Sequence, residues 1–308
     1  MVGRSKLVMV VGVVAVGLAS VWLAARLLEA QAPGGEASAP GRFAPYTAPR
    51  TPDGRPNLNG IWQALTTAYW DLEAHGAAQG AFPQLLGAWG AEPGGQSVVE
   101  GGVIPYRPEA LARRRANFDT RTTASVPGDG TDPPLVDPEL KCWMPGVPRA
   151  MYLPYPLQIV QTPDAVLMTH EFNGTSRIVR MNGPEESPVD NTFFMGWSRG
   201  RWDGDTLVID VTSLNERNWL DRAGNYYSAT AHITERLTAV SPYHISYEAT
   251  IEDPAVFTRA WKISFPLYRR MEPNVQLMEF KCQPFVEELL YGRFTKKGGP
   301  DSPRRRQQ

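Results

Sequence analysis

Between residues 156 and 281, apolar and polar side chains alternate with a period of two, broken every few residues by turn-forming pairs. That alternation marks strands with one buried face. It predicts strands over 157–162, 165–172, 175–181, 196–202, 206–214, 231–240, 244–252, 261–268 and 275–281. Pro163-Asp164, Asn173-Gly174, Asn182-Gly183 and Ser241-Pro242-Tyr243 supply the corners. So does Asp203-Gly204-Asp205 in the stretch GRWDGDTLVID, where Asp203 and Asp205 are read as turn makers. Asp210, late in its strand, stays open to a cavity-facing role. About eight or nine antiparallel strands in chain order make a meander. Closed as a barrel or folded as a sandwich, lipocalin-like in outline, it leaves no exposed edge.

The rest of the chain is less periodic. Ile61-Trp62 reads as a first buried edge, and 64–105 as an irregular layer carrying Tyr69, Trp70, Phe82 and Trp89. A helix is predicted over 108–121, with Leu111, Ala112, Arg115 and Phe118 on one face and Arg113-Arg114-Arg115 solvated or near anionic headgroups. A short helix over 285–291 closes the fold. The whole of 52–292 is expected to be a single β-rich domain, 52–155 irregular or helical and 156–292 stranded. The segment 293–308 reads as a disordered basic tail.

At the N-terminus, residues 7–25 form an uncharged apolar run between basic residues. We read 1–32 as a signal peptide or an N-terminal membrane anchor, and 33–51 as a Pro/Ala/Gly linker. The run's length favours an anchor, and Ala30-Gln31-Ala32 favours cleavage. Either way the domain is expected in the periplasm or on the outer face of the cytoplasmic membrane. The only cysteines, Cys142 and Cys282, then read as one disulfide, two buried thiols being the alternative. A net charge of −1 gives no basic field for nucleic acid. Pro and Gly, 28 each, favour short strands and turns over a helical bundle.

Candidate chemistry is sparse. Four histidines are present, and the common zinc-protease, nucleotide, Rossmann and α/β-hydrolase motifs are missing. No cofactor or metal is expected. His170 and His232 are the weak metal candidates, lacking ligand spacing. Period two places His232 and Arg236 on one face of their strand and Glu248 on the matching face of the next. If that face points inward, the three form a catalytic patch, with His232 moving the proton and Arg236 or Arg177 holding negative charge. The alternative is an ordinary solvent face. Arg177, Trp197, Trp202 and Tyr247 are the expected ligand-binding residues. The function read from this is an exported or membrane-anchored protein handling a small apolar or aromatic ligand, as an acid–base enzyme of hydrolase, lyase or isomerase type. The alternatives are a non-catalytic ligand-binding barrel or a structural or assembly protein of the envelope.

Several strings also carry a resemblance: PDGRPNLNGIWQ, CWMPGVPR, GWSRGRWDGDTLVID, NWLDRAGNYYS, AHITERL and TIEDPAVFTRAW. With their order from about residue 52 to 291, the chain resembles a large group of uncharacterised exported bacterial proteins. The resemblance implies export and a β-rich fold and brings no mechanism. A histidine often found in that group just before the AHITER string is absent, the place reading Tyr226-Tyr227-Ser228.

Overall fold

The alternation does become strands. A computed structural model describes residues 46–80, 91–121, 136–184, 187, 189–286 and 290. The expected signal or anchor (1–32), residues 33–45 of the linker, Phe82 and Trp89, and the basic tail lie outside the described residues. So does most of the closing helix over 285–291. Among the described helices, none is long and apolar enough to cross a membrane.

Nine strands close into a barrel. They are β1 (Gly60–Ala64), β4 (Leu157–Gln161), β5 (Ala165–His170), β6 (Ser176–Met181), β7 (Trp197–Asp203), β8 (Thr206–Thr212), β9 (His232–Ser241), β10 (His244–Glu252) and β11 (Trp261–Arg269). Two short strands, β2 (Ala78–Gln79) and β3 (Ala91–Glu92), pair separately. The meander needs one correction: β6 and β7 run parallel, so the connection between them crosses over rather than turning back. β1 closes the ring by pairing with both β4 and β11, which leaves no barrel strand as a free edge. The strand expected over 275–281 does not form; that segment joins no sheet.

Turn chemistry works as the residues dictate. Gly204 takes φ +58 in the β7–β8 corner, and Asn173 and Gly174 take φ +54 and +63 between β5 and β6. Asp203 and Asp205 stay at the surface, where they pair with Arg236 and Arg50.

Inward-facing rows follow the register. Leu237 lies opposite Leu207 and Tyr247, Ile233 opposite Val211 and Ile251, and Ala249 opposite Ile263. All of these are buried and join one continuous core. Gly200 is required where it stands on β7. A Cβ there would sit 2.6 Å from Met181 Sδ and 2.8 Å from Val179 Cγ1.

The residues ahead of β4 pack against the barrel. Residues 147–153 are wholly buried. Tyr152 sets its ring edge-on to Phe265 at 5.8 Å and donates to the Leu220 carbonyl at 2.6 Å. The helix α1 spans Leu111–Thr120, and it packs through Asn117 and the preceding Ala110, not through the expected Leu111/Ala112/Arg115/Phe118 face. Phe118 is exposed. Two of the three arginines are not simply solvated: Arg113 stacks on Tyr226, and Arg114 reaches Asp71, Glu73 and Asn225.

Cys142 and Cys282 form a disulfide with Cα atoms 5.5 Å apart. It ties the segment before β4 to the chain beyond β11.

Candidate functional site

A gap in the neighbours of β11 creates a concave surface. On one side β11 pairs with β10 along its whole length. On the other, β1 covers only residues 267–269. Further along, the Ser264 N–H donates to the Val98 carbonyl, and the Glu100 N–H donates to the Lys262 carbonyl. Phe265 and Pro266 fall between these two covers. Proline has no N–H to leave unpaired, which lets this position stay uncovered. The result is a groove of about 650 Å³. Gln63–Thr67 and Tyr69 form one wall, Gln96–Val98 another, and Ser264–Pro266, Tyr268 and Pro154 the remainder. Its volume suits a small molecule. None of its lining side chains carries a charge at neutral pH. Phe265 is shared with the core: its ring lies 4.9 Å from Tyr247 and 5.8 Å from Tyr152.

Behind Phe265 the barrel interior holds a charged pair. Glu235 Oε2 lies 2.7 Å from Arg177 Nη2, and Glu235 Oε1 accepts a 2.7 Å hydrogen bond from the Tyr247 hydroxyl. Arg177 Nη2 also meets Met168 Sδ at 3.3 Å. Burial, and then the adjacent Glu235, push the Tyr247 hydroxyl well above its ordinary range. His170 is also buried in the interior. Burial and the Arg177 charge lower it to about 3, against the pull of the Ala150 carbonyl, so the ring is neutral at ordinary pH.

The face carrying His232, Arg236 and Glu248 points outward, which corrects the condition under which these residues would form an internal catalytic patch. The register does bring them together, Glu248 opposite Arg236 and Glu252 opposite His232. Yet each is only half-buried, on the solvent side, and tied to a surface partner. His232 Nε2 lies 3.7 Å from Asp210, Arg236 2.9 Å from Asp203, and Glu248 3.6 Å from Lys262. Asp210 is on the same outer face, where it also accepts from Arg201. His170 inside and His232 outside are on opposite faces of the sheet. No cluster of three or more His, Cys, Asp or Glu fit for a metal occurs among the described residues.

Of the expected ligand-binding residues, Arg177 and Tyr247 meet inside the barrel around Glu235. Trp202 is partly buried against the same core, beside Leu207 in register. Trp197 lies outside, stacked under Arg180 and donating to the Pro184 carbonyl. None of the four lines the groove.

Two buried polar networks escaped the strand-by-strand reading because their members come from irregular segments. In one, Arg149 is clamped by both oxygens of Asp137 and by Glu139, which also takes a two-point contact from Arg222. Burial alone would raise Glu139, but Arg222 and Arg149 hold it down at about 2. In the other, Asp221 accepts from the backbone N–H of Leu72 and Asn225 and from the Asn225 amide. Burial and the neighbouring Asp71 raise Asp221 to about 7. The sequence signal was polar residues crowded among aromatics, as in NWLDRAGNYYS, but nothing in it says which other segment they meet.

Comparison with protein-family models, with curated proteins and with solved structures finds no match to this chain.

Proposed function

We propose that this is an exported ligand-binding barrel that holds a small, uncharged, partly aromatic molecule in the groove beside Phe265 and Pro266. The groove's uncharged lining carries this reading. Tyr69, Tyr268, Val98 and Phe265 offer apolar surface, and Gln63, Gln96 and the hydroxyls of Thr66, Thr67 and Ser97 offer hydrogen bonds without net charge. A charged ligand would lose hydration there with no counter-charge to meet it. The outward position of His232, Arg236 and Glu248 favours binding over acid–base turnover, since these groups face solvent. The Cys142–Cys282 bond supports an oxidising compartment, in keeping with export to the periplasm or the outer face of the membrane.

The test is a titration with N-phenylnaphthylamine, a neutral aromatic fluorophore. Saturable one-to-one binding is expected. Leu65→Glu, at a largely exposed lining position, should weaken it at least tenfold with unchanged folding stability. Binding that Leu65→Glu leaves intact would place the ligand elsewhere.

A further inference from the structure

The groove wall at residues 65–69 is held from behind. The next residues of the same segment meet the 218–226 loop through a small set of hydrogen bonds. The Leu72 N–H donates to Asp221 Oδ2 at 2.9 Å, and the Arg222 N–H donates to the Tyr69 carbonyl at 3.0 Å. The Leu72 carbonyl in turn accepts from the Val98 N–H at 3.0 Å and the Ser97 hydroxyl at 3.3 Å, and Ser97 and Val98 are the facing groove wall. Leu72 therefore links Asp221 to both walls.

Asp221 is wholly buried, and a second carboxylate approaches it. The Asn225 amide nitrogen lies 2.6 Å from Asp221 Oδ2 and 3.4 Å from Asp71 Oδ1, so one amide bridges both acids. The remaining groups facing the pair are few. From α1, Arg114 stands 3.7 Å from Asp71 and 3.9 Å from Glu73 and donates to Asn225 Oδ1 at 2.8 Å. Tyr106 donates to the same Asn225 oxygen at 3.1 Å. Tyr152 approaches from the barrel end, and His75 and Glu73 lie along the Asp71 segment. Arg222 binds Glu139 and lies over the Trp70 ring. Among the described residues, the partly exposed Arg114 guanidinium is the cation paired with Asp71 and Glu73.

We propose that Asp71 and Asp221 form a proton-operated latch between the groove wall and the 218–226 loop, clasped when the pair keeps a proton and loosened when both acids ionise. Two like charges around one amide repel, and burial penalises the ionised form. Both acids are raised, Asp221 to about 7. A group raised on folding stabilises most fully below its unfolded value, 3.8 for Asp221, and loses that contribution as pH rises to its folded value. The clasp is thus tightest below about pH 4, weakens up to about 7, and is weakest above. Its consequence for ligand rests on the groove reading: affinity should fall across the same window.

The experiment is hydrogen exchange of the full chain, followed at residues 66–75 from about pH 5 to pH 8 and corrected for intrinsic amide rates. Local opening in the wild type should rise about tenfold per unit and level off near 7. Asp221→Asn should flatten the slope to the smaller part that Asp71 carries. Asp71→Asn, which removes the repelling neighbour, should keep a slope but level off at lower pH. Where Asp221→Asn fails to fold, the displacement in Asp71→Asn decides. Wild-type opening without pH dependence, or the same levelling point in Asp71→Asn, overturns the latch. N-phenylnaphthylamine affinity measured alongside separates the two readings: a pH-dependent opening with no probe binding leaves the latch standing and removes the groove.

Discussion

Replacing Arg177 by methionine takes one partner from the ion pair inside the barrel. The pair is 2.7 Å apart, with side chains 3% and 0% exposed, so water does not reach the charge left behind. Glu235 would retain only the Tyr247 hydroxyl. Removing one partner of such a pair costs about 3–5 kcal/mol, because the survivor is a buried, uncompensated charge. In a domain of this size that lowers Tm by roughly 10 °C. Replacing both partners, Arg177→Met with Glu235→Leu, should recover most of the loss, since apolar substitutes for a buried pair are near neutral or stabilising. The double variant orphans the Tyr247 hydroxyl, at about 1–3 kcal/mol, so adding Tyr247→Phe should recover more. Urea unfolding of these three variants and of Glu235→Leu alone reads each step. The reasoning is refuted if Arg177→Met costs under about 1 kcal/mol, or if the double variant loses as much as the two singles summed.

Two further outcomes follow from the same chemistry. His170, held at about 3 in the fold against 6.5 when free, contributes stability that is present above about 6.5 and lost as pH falls toward 3; His170→Leu should flatten the acid side of the stability profile, and the wild-type ring should show no NMR titration between about pH 5 and 8. The disulfide closes a loop of 140 residues, so Cys142→Ser with Cys282→Ser should lower stability by about 5 kcal/mol in the chain-entropy model, read by chemical unfolding under non-reducing conditions.

The strand half of the molecule was legible because it is local. Period-two alternation and Asn-Gly or Asp-Gly corners act within a few residues, and eight of the nine predicted strands form between β4 and β11. The ninth, over 275–281, has the alternation without a partner: with β1 between β11 and β4, the ring is already closed. The parallel step at β6 was invisible because strand direction depends on the length and path of a connection, not on the strand's own pattern. Alternation also could not say which face was inside. His232 and Arg236 share one face of β9, and Ile233, Glu235 and Leu237 the other; the second, with its embedded carboxylate, is the core. Glu235 was the clue, since a lone acid among Ile and Leu on a buried face requires a partner, and Arg177 supplies it. The groove was beyond reach of the sequence. It arises where Val98 and Ala64 stop covering β11, a property of three segments far apart in the chain.

The most direct measurement of the central claim is an amide NMR titration of the domain with N-phenylnaphthylamine. The account predicts shifts that saturate together and are confined to residues 63–69, 96–98 and 264–268, fading before the outer face of β9. Shifts centred on His232, Arg236 and Glu248, or no saturable shift at all, would contradict it.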